Sequence, residues 1–232
     1  MKVLVIGAHP DDEVLGCGGT IARLADEGAD VSIHILAEGV TARFDRRDDA
    51  DPKAIGVLHA QARAAGEILG AKRVELHGLP DNRLDTVALL DVVKVVEEII
   101  ASSRPEVIYT HHGGDLNVDH GIVHRAVLTA TRPDDSQSAR EVYAWEVPSS
   151  TEWSFHRFEP SFRPNVFVDV SETLERKIEA MKAYTGELRD FPHPRSPEAL
   201  ESIARRWGTV AGFRAAEAFE LVRSLRPRGR MA

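Results

Sequence analysis

The chain has few of the features that mark several large classes of protein, and each shortage excludes one class. Cys17 is the only cysteine among 232 residues, so the chain can form no internal disulfide and fits a reducing compartment. No apolar run approaches the ~20 residues that a membrane-spanning helix needs. Basic residues number 29 against 37 acidic ones, for a formal net charge of -8, which argues against a nucleic-acid-binding surface. We therefore predict a cytoplasmic protein with no membrane span and no nucleic-acid partner.

Hydrophobic residues, by contrast, are plentiful at 43%, and they recur in alternating strand and helix patterns. Predicted strands cover 3–6, 30–36, 73–76, 106–110, 142–147 and 165–170. Predicted helices cover 13–26, 53–69, 87–100 and 119–133. A further helix is predicted over 172–184, after a cap at Ser171, and two more helices are predicted after residue 197. This order predicts a single α/β domain over 1–232, a Rossmann-like, doubly wound and mostly parallel sheet with helices on both faces. The basic tail at 224–232 is rich in Pro and Gly and is expected to be frayed.

The most informative stretch is 8–13, Ala-His-Pro-Asp-Asp-Glu, which directly follows the first predicted strand. Pro10 ends that strand and biases His9 to an extended conformation. Open α/β sheets bind their ligands beyond the carboxyl ends of strands. One acidic residue at this position is explained by capping of the next helix, and capping alone is the alternative explanation for the whole cluster. An imidazole beside three carboxylates favours a metal site instead.

Two neighbouring features have structural interpretations. The run Gly16-Cys17-Gly18-Gly19 comes too late to form a dinucleotide-binding turn, whose glycines lie between strand and helix. These glycines are predicted to allow close packing of the helix, or of substrate, against the sheet. His34 lies inside the second predicted strand and is interpreted as a structural residue rather than a metal ligand.

A second polar cluster, HHGGDLNVDH at 111–120, follows the fourth predicted strand. His120 completes a ligand set with His9 and Asp12, because two neutral nitrogens and one carboxylate are typical of an open catalytic zinc site. We predict one Zn²⁺ per chain, while Fe²⁺ or Co²⁺ suit the same ligands. Asp11 cannot easily share the ion, since adjacent side chains of an extended backbone diverge. It is predicted to be the general base that deprotonates metal-activated water.

The AHPDDE motif after the first strand and the downstream Asp-His of DLNVDH resemble the LmbE-like, or PIG-L, family of metal-dependent N-deacetylases. The resemblance covers about residues 1–133, and HPDDE is its specific part. It implies a zinc-dependent deacetylase of N-acetylglucosamine-type sugars that are carried by lipids, thiols, disaccharides or antibiotics. It also implies that His9, Asp12 and His120 bind the zinc and that Asp11 is the base. Because similar proteins are often homo-oligomers, we expect a homo-oligomer here.

One position departs from the family pattern. Many members have a histidine three residues before the last ligand, where it stabilises an oxyanion or acts as general acid, and here that residue is Asn117. Asparagine can donate a hydrogen bond to an oxyanion but cannot deliver a proton. The acid is then Asp11 after its protonation, or another histidine. The candidates are His111, His112 and His193. Asp119 has two open interpretations, to orient an imidazole or to cap its helix.

Substrate contacts are predicted from polar loops at strand ends and from one stiff loop near 191–197. The candidates for substrate or oxyanion contacts are Asn117, Asp115, His112, Arg83, His193 and Arg195. Arg195 suits a phosphate or carboxylate because its planar guanidinium makes paired hydrogen bonds, and a subunit contact is its alternative role. The charged loop at 37–52 has a lid over the site as one interpretation. A flat face for a sugar is one interpretation of Trp145 and Trp153, and packing in the core is the favoured one.

The sequence thus predicts an enzyme that removes the acetyl group from a small N-acetylated amino sugar or its conjugate. The alternatives are hydrolysis of another amide, such as an amino sugar thiol conjugate, and a non-catalytic sugar-binding or metal-binding module. The unligated carboxylate of Asp11 favours an enzyme, because a pure binding site has no need of it. A two-metal phosphoesterase is disfavoured, since its ions lie about 3.5–4 Å apart and need two ligand sets, and only one can be assembled.

Overall fold

The computed structural model describes residues 1–133 and 139–226. The strands are β1 (Lys2–Gly7), β2 (Asp30–Ala37), β3 (Arg73–Leu79), β4 (Val107–His111), β5 (Glu141–Trp145), β6 (Val166–Asp169) and β7 (Ala216–Ser224). The helices are α1 (Asp12–Asp26), α2 (Pro52–Leu69), α3 (Leu89–Ser103), α4 (Val118–Ala130), α5 (Leu174–Ala183) and α6 (Pro197–Ala211). No helix within these two ranges is both long enough and apolar enough to cross a membrane.

The strands form one sheet in the order β3-β2-β1-β4-β5-β7-β6, and helices cover both of its faces. Strands β1 to β5 pair in parallel, while β7 runs antiparallel to β5 and β6. Successive strand residues point to opposite faces. On one face Val5 belongs to a core with Leu15 of α1 and Leu58 of α2, and on the other Leu4 packs in a core with Val96 of α3. The predicted Rossmann-like, doubly wound class is confirmed.

The strand order creates a switch point between β1 and β4. From β1 the chain adds β2 and β3 on one side, and it then returns to add β4 on the opposite side of β1. Loops that leave such neighbouring strands diverge, which opens a crevice at the carboxyl edge of the sheet. The AHPDDE segment follows β1 and the second polar cluster begins at the end of β4. The fold therefore brings the two clusters to the same crevice.

The chain after α6 forms a strand, and the predicted second helix there is wrong. Residues 216–221, Ala-Glu-Ala-Phe-Glu-Leu, are mostly good helix formers by intrinsic propensity. The segment instead fills the gap between β5 and β6, where Phe219 pairs with Trp145 on one side and Val166 on the other. Backbone hydrogen bonds to two strands and burial of Phe219 outweigh a propensity difference of a few tenths of a kcal/mol per residue.

The start of α5 also differs from the prediction. Ser171 donates hydrogen bonds from its N–H and its hydroxyl to Oδ1 of Asp169, so it belongs to the turn after β6. Thr173 is the residue that precedes the first turn of α5. Most of the predicted frayed tail, residues 227–232, lies outside the described residues.

Candidate metal centre and active site

The three predicted ligands meet beyond the ends of β1 and β4. His9 lies in the turn after β1, Asp12 in the first turn of α1 and His120 in the first turn of α4. Oδ2 of Asp12 lies 3.3 Å from Nδ1 of His9, and Oδ1 of Asp12 lies 3.4 Å from Nε2 of His120. One ligand atom from each residue falls within 4.8 Å of the others. The cluster is therefore a candidate metal site with two imidazoles and one carboxylate.

The electrostatics of the cluster fit a bound cation. Nε2 of His120 is buried and has no hydrogen-bond partner among the described residues. Although burial opposes the charged form, Asp119 and Asp12 raise the pKa of His9 to about 10, and Asp12 and Asp115 raise the pKa of His120 to about 9. Buried carboxylates thus create a strongly negative environment around both rings. A divalent ion compensates that charge with ligand types that zinc accepts, so the residues fit the group.

Two further carboxylates orient the imidazoles from behind. Oδ2 of Asp119 lies 3.1 Å from Nε2 of His9, and its Oδ1 accepts a hydrogen bond from the backbone N–H of Leu84 at 2.9 Å. Oδ1 of Asp115 lies 3.1 Å from Nδ1 of His120. These contacts leave Nδ1 of His9 and Nε2 of His120 directed at Asp12, as in carboxylate-histidine pairs of metal sites. Of the two interpretations of Asp119, the structure supports the one that orients an imidazole.

Asp115 has the environment of a structural anion. Its carboxylate accepts hydrogen bonds from the N–H of Asn117 at 2.8 Å, the hydroxyl of Thr151 at 2.5 Å and the hydroxyl of Ser150. Burial opposes ionisation, but contact with His120 and these hydroxyls lowers the pKa of Asp115 to about 2. The side chain, predicted as a substrate contact, is absent from the cavity wall and lies behind the imidazole of His120.

Asp11 lies beside the ligand cluster and belongs to the wall of the adjoining cavity. Its backbone φ of 108° is a left-handed conformation that a non-glycine residue adopts at a cost of about 1–3 kcal/mol, and such strain is concentrated at functional sites. Burial raises the pKa of the Asp11 carboxyl well above its usual value, although Arg195 opposes the shift. Nη1 of Arg195 donates to Oδ2 of Asp11 at 2.8 Å.

Glu13, the last acid of the motif, supports the strained turn from inside. Its Oε2 accepts a hydrogen bond from the N–H of Asp11 at 3.2 Å, and its Oε1 accepts one from the hydroxyl of Tyr184 at 2.6 Å. Burial raises the pKa of Glu13 to about 7, although the hydrogen bond from Tyr184 acts in the opposite direction. The three acids of the motif therefore have different places: Asp12 is a candidate ligand, Asp11 is a carboxylate at the cavity and Glu13 is a buried support.

A polar cavity of about 220 Å³ opens beside His9 and His120. The loop at 37–52, for which a lid is one interpretation, forms part of the cavity wall through four residues. The other side includes Glu187, whose carboxylate accepts one hydrogen bond from Arg43 of the loop and another, at 3.2 Å, from Nη1 of Arg195. The lining residues are His9, Pro10, Asp11, Gly39, Val40, Ala42, Arg43, Leu58, Asp81, Asn82, Asn117, His120, Ser149, Ser150, Glu187 and Arg195.

Asn117 combines a structural role with a place on the cavity wall. Its Oδ1 accepts a hydrogen bond from the N–H of Asp119 at 2.9 Å, which caps α4. Its Nδ2 donates to Oδ1 of Asn82 at 2.8 Å. Both the oxygen and the nitrogen of the Asn117 amide thus make hydrogen bonds within the chain, and the side chain lines the cavity together with Asn82.

Three other predicted contacts point elsewhere and do not line the cavity. His112 lies with one ring nitrogen 2.7 Å from Oε2 of Glu220 and the other 2.7 Å from the carbonyl of Pro160. Arg83 donates to the carbonyl of Asp45 at 3.3 Å. His193 accepts a hydrogen bond from the N–H of Arg195 at 3.1 Å.

The remaining acid candidate, His111, is held neutral. Its Nε2 accepts a hydrogen bond from the N–H of Ala8 at 2.8 Å. Burial and the neighbouring His120 lower the pKa of His111 to about 4. Its ring packs against Trp145, which is fully buried in the core as expected. Trp153, expected in the core as well, is 41% exposed and contacts the ring of His193.

Sequence reasoning missed Asp81 and Glu187 as parts of the site. Oδ1 of Asp81 lies 3.6 Å from Nε2 of His9. Oδ2 of Asp81 accepts a hydrogen bond from the N–H of Ala42 at 2.9 Å. Asp81 follows β3, so its place at a strand end was a usable signal. Glu187 follows α5 in an irregular segment, and no local pattern separates it from a surface glutamate.

Comparison with known proteins gives the same family as the motif. The model of the PIG-L family, described as GlcNAc-PI de-N-acetylase, matches residues 4–131. The chain is 29% identical to a diacetylchitobiose deacetylase of Thermococcus kodakarensis over 95% of this chain and 83% of that protein. It is also 28% identical to a 4-oxalmesaconate hydratase of Pseudomonas putida over 80% of this chain and 74% of that protein.

The fold matches solved structures over almost its whole length. The N,N'-diacetylchitobiose deacetylase of Pyrococcus horikoshii superposes with a TM-score of 0.75 at 20% identity, over 95% of this chain and 83% of that one. Because the family model covers more than half of the chain and includes both polar clusters, the chain belongs to the PIG-L, or LmbE-like, family.

Proposed function

We propose that the protein is a metal-dependent hydrolase that removes the acetyl group from an N-acetylglucosamine-type amino sugar or its conjugate. The observation that carries the proposal is a buried carboxylate, Asp11, that borders the cavity beside the three-ligand cluster and is held by Arg195 instead of by the ligands. A binding site for a metal or a sugar has no use for such a group, whereas hydrolysis needs a base.

His9, Asp12 and His120 are the proposed ligands of one Zn²⁺, and Fe²⁺ or Co²⁺ suit the same set. A divalent ion bound there supplies Lewis-acid activation of water and of the amide carbonyl. Asp115 and Asp119 hold the two imidazoles in orientation through Nδ1 of His120 and Nε2 of His9. This support keeps the ligand nitrogens directed inward before the substrate arrives.

Asp11 is the proposed general base and, afterwards, the general acid. It accepts a proton from the attacking water, whose oxygen bonds to the amide carbon. The same proton then passes to the leaving nitrogen as the carbon–nitrogen bond breaks, which yields acetate and a free amine. The other proton donors that the sequence suggested are poorly placed, since none of His111, His112 and His193 lines the cavity and His112 is bonded at both ring nitrogens.

The cavity supports a small polar substrate group. Its volume of about 220 Å³ lies below the roughly 300 Å³ lower limit of pockets for drug-sized ligands. One amino sugar ring is the proposed occupant, with the remainder of a conjugate outside the cavity. Asn82 and Asn117 supply amide groups on the wall that suit sugar hydroxyls or the developing oxyanion.

Acetate release tests the proposed function. The zinc-loaded protein is incubated with a panel of N-acetylglucosamine conjugates, and acetate and the free amine are quantified beside a chelator-treated control. We expect release that stops on chelation and returns with added zinc. Because one relative is named a hydratase, products are also identified by mass. Bound zinc with no acetate release from any conjugate would refute the deacetylase proposal in favour of another amide substrate or a binding module.

A further inference from the structure

A second group of metal-binding side chains lies on the sheet and shares no residue with the candidate active site. It consists of His34 on β2 with Glu75 and His77 on β3. Nδ1 of His34 lies 3.0 Å from Nε2 of His77 and 3.9 Å from Oε2 of Glu75. One ligand atom from each of the three residues falls within 4.8 Å of the others.

The strand register brings these residues together. β2 and β3 pair in parallel with His34 opposite Glu75. Because strand side chains alternate, Glu75 and His77 project from the same face of β3, two residues apart. β3 is the edge strand of the sheet, and the side chain of Glu75 is 46% exposed. An ion from solvent can therefore reach the group past Glu75, while His34 is only 2% exposed.

Hydrogen bonding within the protein does not account for a histidine at position 34. The contact with His77 engages Nδ1, whereas Nε2 of His34 is buried with no partner among the described residues. A buried polar atom without a partner costs about 1–3 kcal/mol. A fully apolar residue at this position would avoid that cost, so a buried imidazole here calls for a role for its other nitrogen, Nδ1, which faces His77 and Glu75.

The chemistry of the group matches a cation of the zinc type. Two imidazoles and a carboxylate are a ligand set that zinc accepts. Two nitrogens at Zn–N distances of about 2.0–2.1 Å lie roughly 3.4 Å apart in a tetrahedral site, against 3.0 Å between the two rings here. Only a small separation of the rings is needed. Burial, together with Arg73, lowers the pKa of His34 to about 4, and burial also lowers the pKa of His77, so both rings are in the neutral form that binds metals.

We propose that His34, Glu75 and His77 bind a second divalent cation, with zinc as the best-fitting ion, so that the chain holds two ions where the sequence predicts one. The site is not half of a dinuclear centre. His34 lies three residues before the end of β2, about 10 Å back from the carboxyl edge of the sheet at ~3.3 Å per residue, whereas paired catalytic ions lie about 3.5–4 Å apart. The ion joins the edge strand β3 to β2. The loop that follows β3 carries Asp81, which lies 3.6 Å from His9, so the ion also anchors one wall of the cavity.

Zinc stoichiometry tests the proposal. The full chain is stripped with chelator, dialysed against Zn²⁺ and analysed for bound metal, and the wild type is expected to hold two ions. Glu75→Gln and His77→Ala are each expected to hold one. Glu75→Gln keeps the shape of a half-exposed side chain and leaves the fold unchallenged. His156→Asn is the matched control, because His156 is an exposed histidine outside both groups, and it is expected to hold two.

A His120→Ala variant isolates the second site. It is expected to retain one ion, to show the visible absorption of Co²⁺ bound through nitrogen ligands, and to gain thermal stability on addition of Zn²⁺. All three signals are expected to disappear when Glu75→Gln and His77→Ala are added. A wild type that holds one ion, or a second ion that persists in both Glu75→Gln and His77→Ala, would overturn the proposal.

Discussion

Nη1 of Arg195 donates a hydrogen bond to Oδ2 of Asp11 at 2.8 Å, although 184 residues separate the two along the chain. The same guanidinium donates from Nε to the hydroxyl of Ser149 at 2.8 Å and from Nη1 to Glu187 at 3.2 Å. Arg195 is thereby fixed on three sides. It holds the carboxylate of Asp11 at the cavity and stabilises its ionised form against the cost of burial.

The first prediction concerns the pH dependence of activity in Arg195→Met. Asp11 acts as a base only when it is ionised, so activity rises with pH through the pKa of Asp11. Removing the guanidinium takes away the contact that lowers this pKa, and the acid limb of the kcat/KM profile is expected to move to higher pH. The measurement is a pH–rate profile of acetate release. Arg83→Met is the control, because Arg83 bonds the carbonyl of Asp45 and does not line the cavity, and the acid limb of this variant is expected to stay in place. If the acid limb of the kcat/KM profile of Arg195→Met coincides with that of the wild type, Asp11 is excluded as the titrating base.

The second prediction separates catalysis from binding at Asp11. Asp11→Asn retains the shape of the side chain and the three ligands but cannot accept a proton. We expect kcat to fall by about a hundredfold or more, the range for loss of a general base, with zinc content unchanged. Metal analysis and steady-state kinetics on one preparation check both parts. Full activity in this variant would instead favour a non-catalytic module.

The third prediction concerns the carboxylate behind His9. The side chain introduced in Asp119→Asn can still accept the hydrogen bond from the N–H of Leu84 through its oxygen. It presents an N–H group to Nε2 of His9, however, where the carboxylate of Asp119 accepts a hydrogen bond. This change disfavours the tautomer of His9 whose Nδ1 is unprotonated and able to bind metal. Zinc affinity is expected to fall by about 10–100-fold, as for other supports of metal-binding histidines. Competition with a chromogenic chelator measures it. Asp85→Asn, an exposed acid in the same region, is the control, and an equal loss in both variants would contradict the assignment.

The fourth prediction concerns the stability of α1 against the sheet. A Cβ atom at Gly16 would collide with the indole ring of Trp145, in agreement with the predicted close packing. Gly16→Ala is expected to lower the free energy of unfolding by about 1–3 kcal/mol, the usual cost of overpacking. Gly56→Ala is the control, because nothing lies within 4 Å of a Cβ atom there.

At Gly56, within helix α2, alanine is expected to stabilise the protein by about 0.5–1 kcal/mol through helix propensity. Urea unfolding of both variants gives the comparison. Equal effects at the two glycines would show that contact with Trp145 does not decide the result.

The sequence determined the fold class and the grouping of the candidate ligands. Hydrophobic strands that alternate with amphipathic helices leave few ways to bury both faces of a sheet. The polar residues that follow parallel strands then lie together at the carboxyl edge of that sheet. The approach of His9, Asp12 and His120 to one another therefore follows from position, because each lies just beyond a strand end or in the helix turn next to it, while their selection as ligands rests on the chemistry of zinc ligands. The local sequence also predicted that helix α1 packs closely against the sheet at Gly16, because glycine has no side chain.

Other features were decided by tertiary structure. Residues 216–224 form β7, because pairing with two strands outweighs their helical propensity. Arg195 reaches Asp11, and Asp115 lies behind His120 instead of facing substrate, because packing of distant segments sets which atoms meet. His34 looks structural along the chain, and only the register of β2 against β3 places it beside His77. Sequence patterns report the local direction of side chains, whereas contacts between distant segments depend on how the whole chain packs.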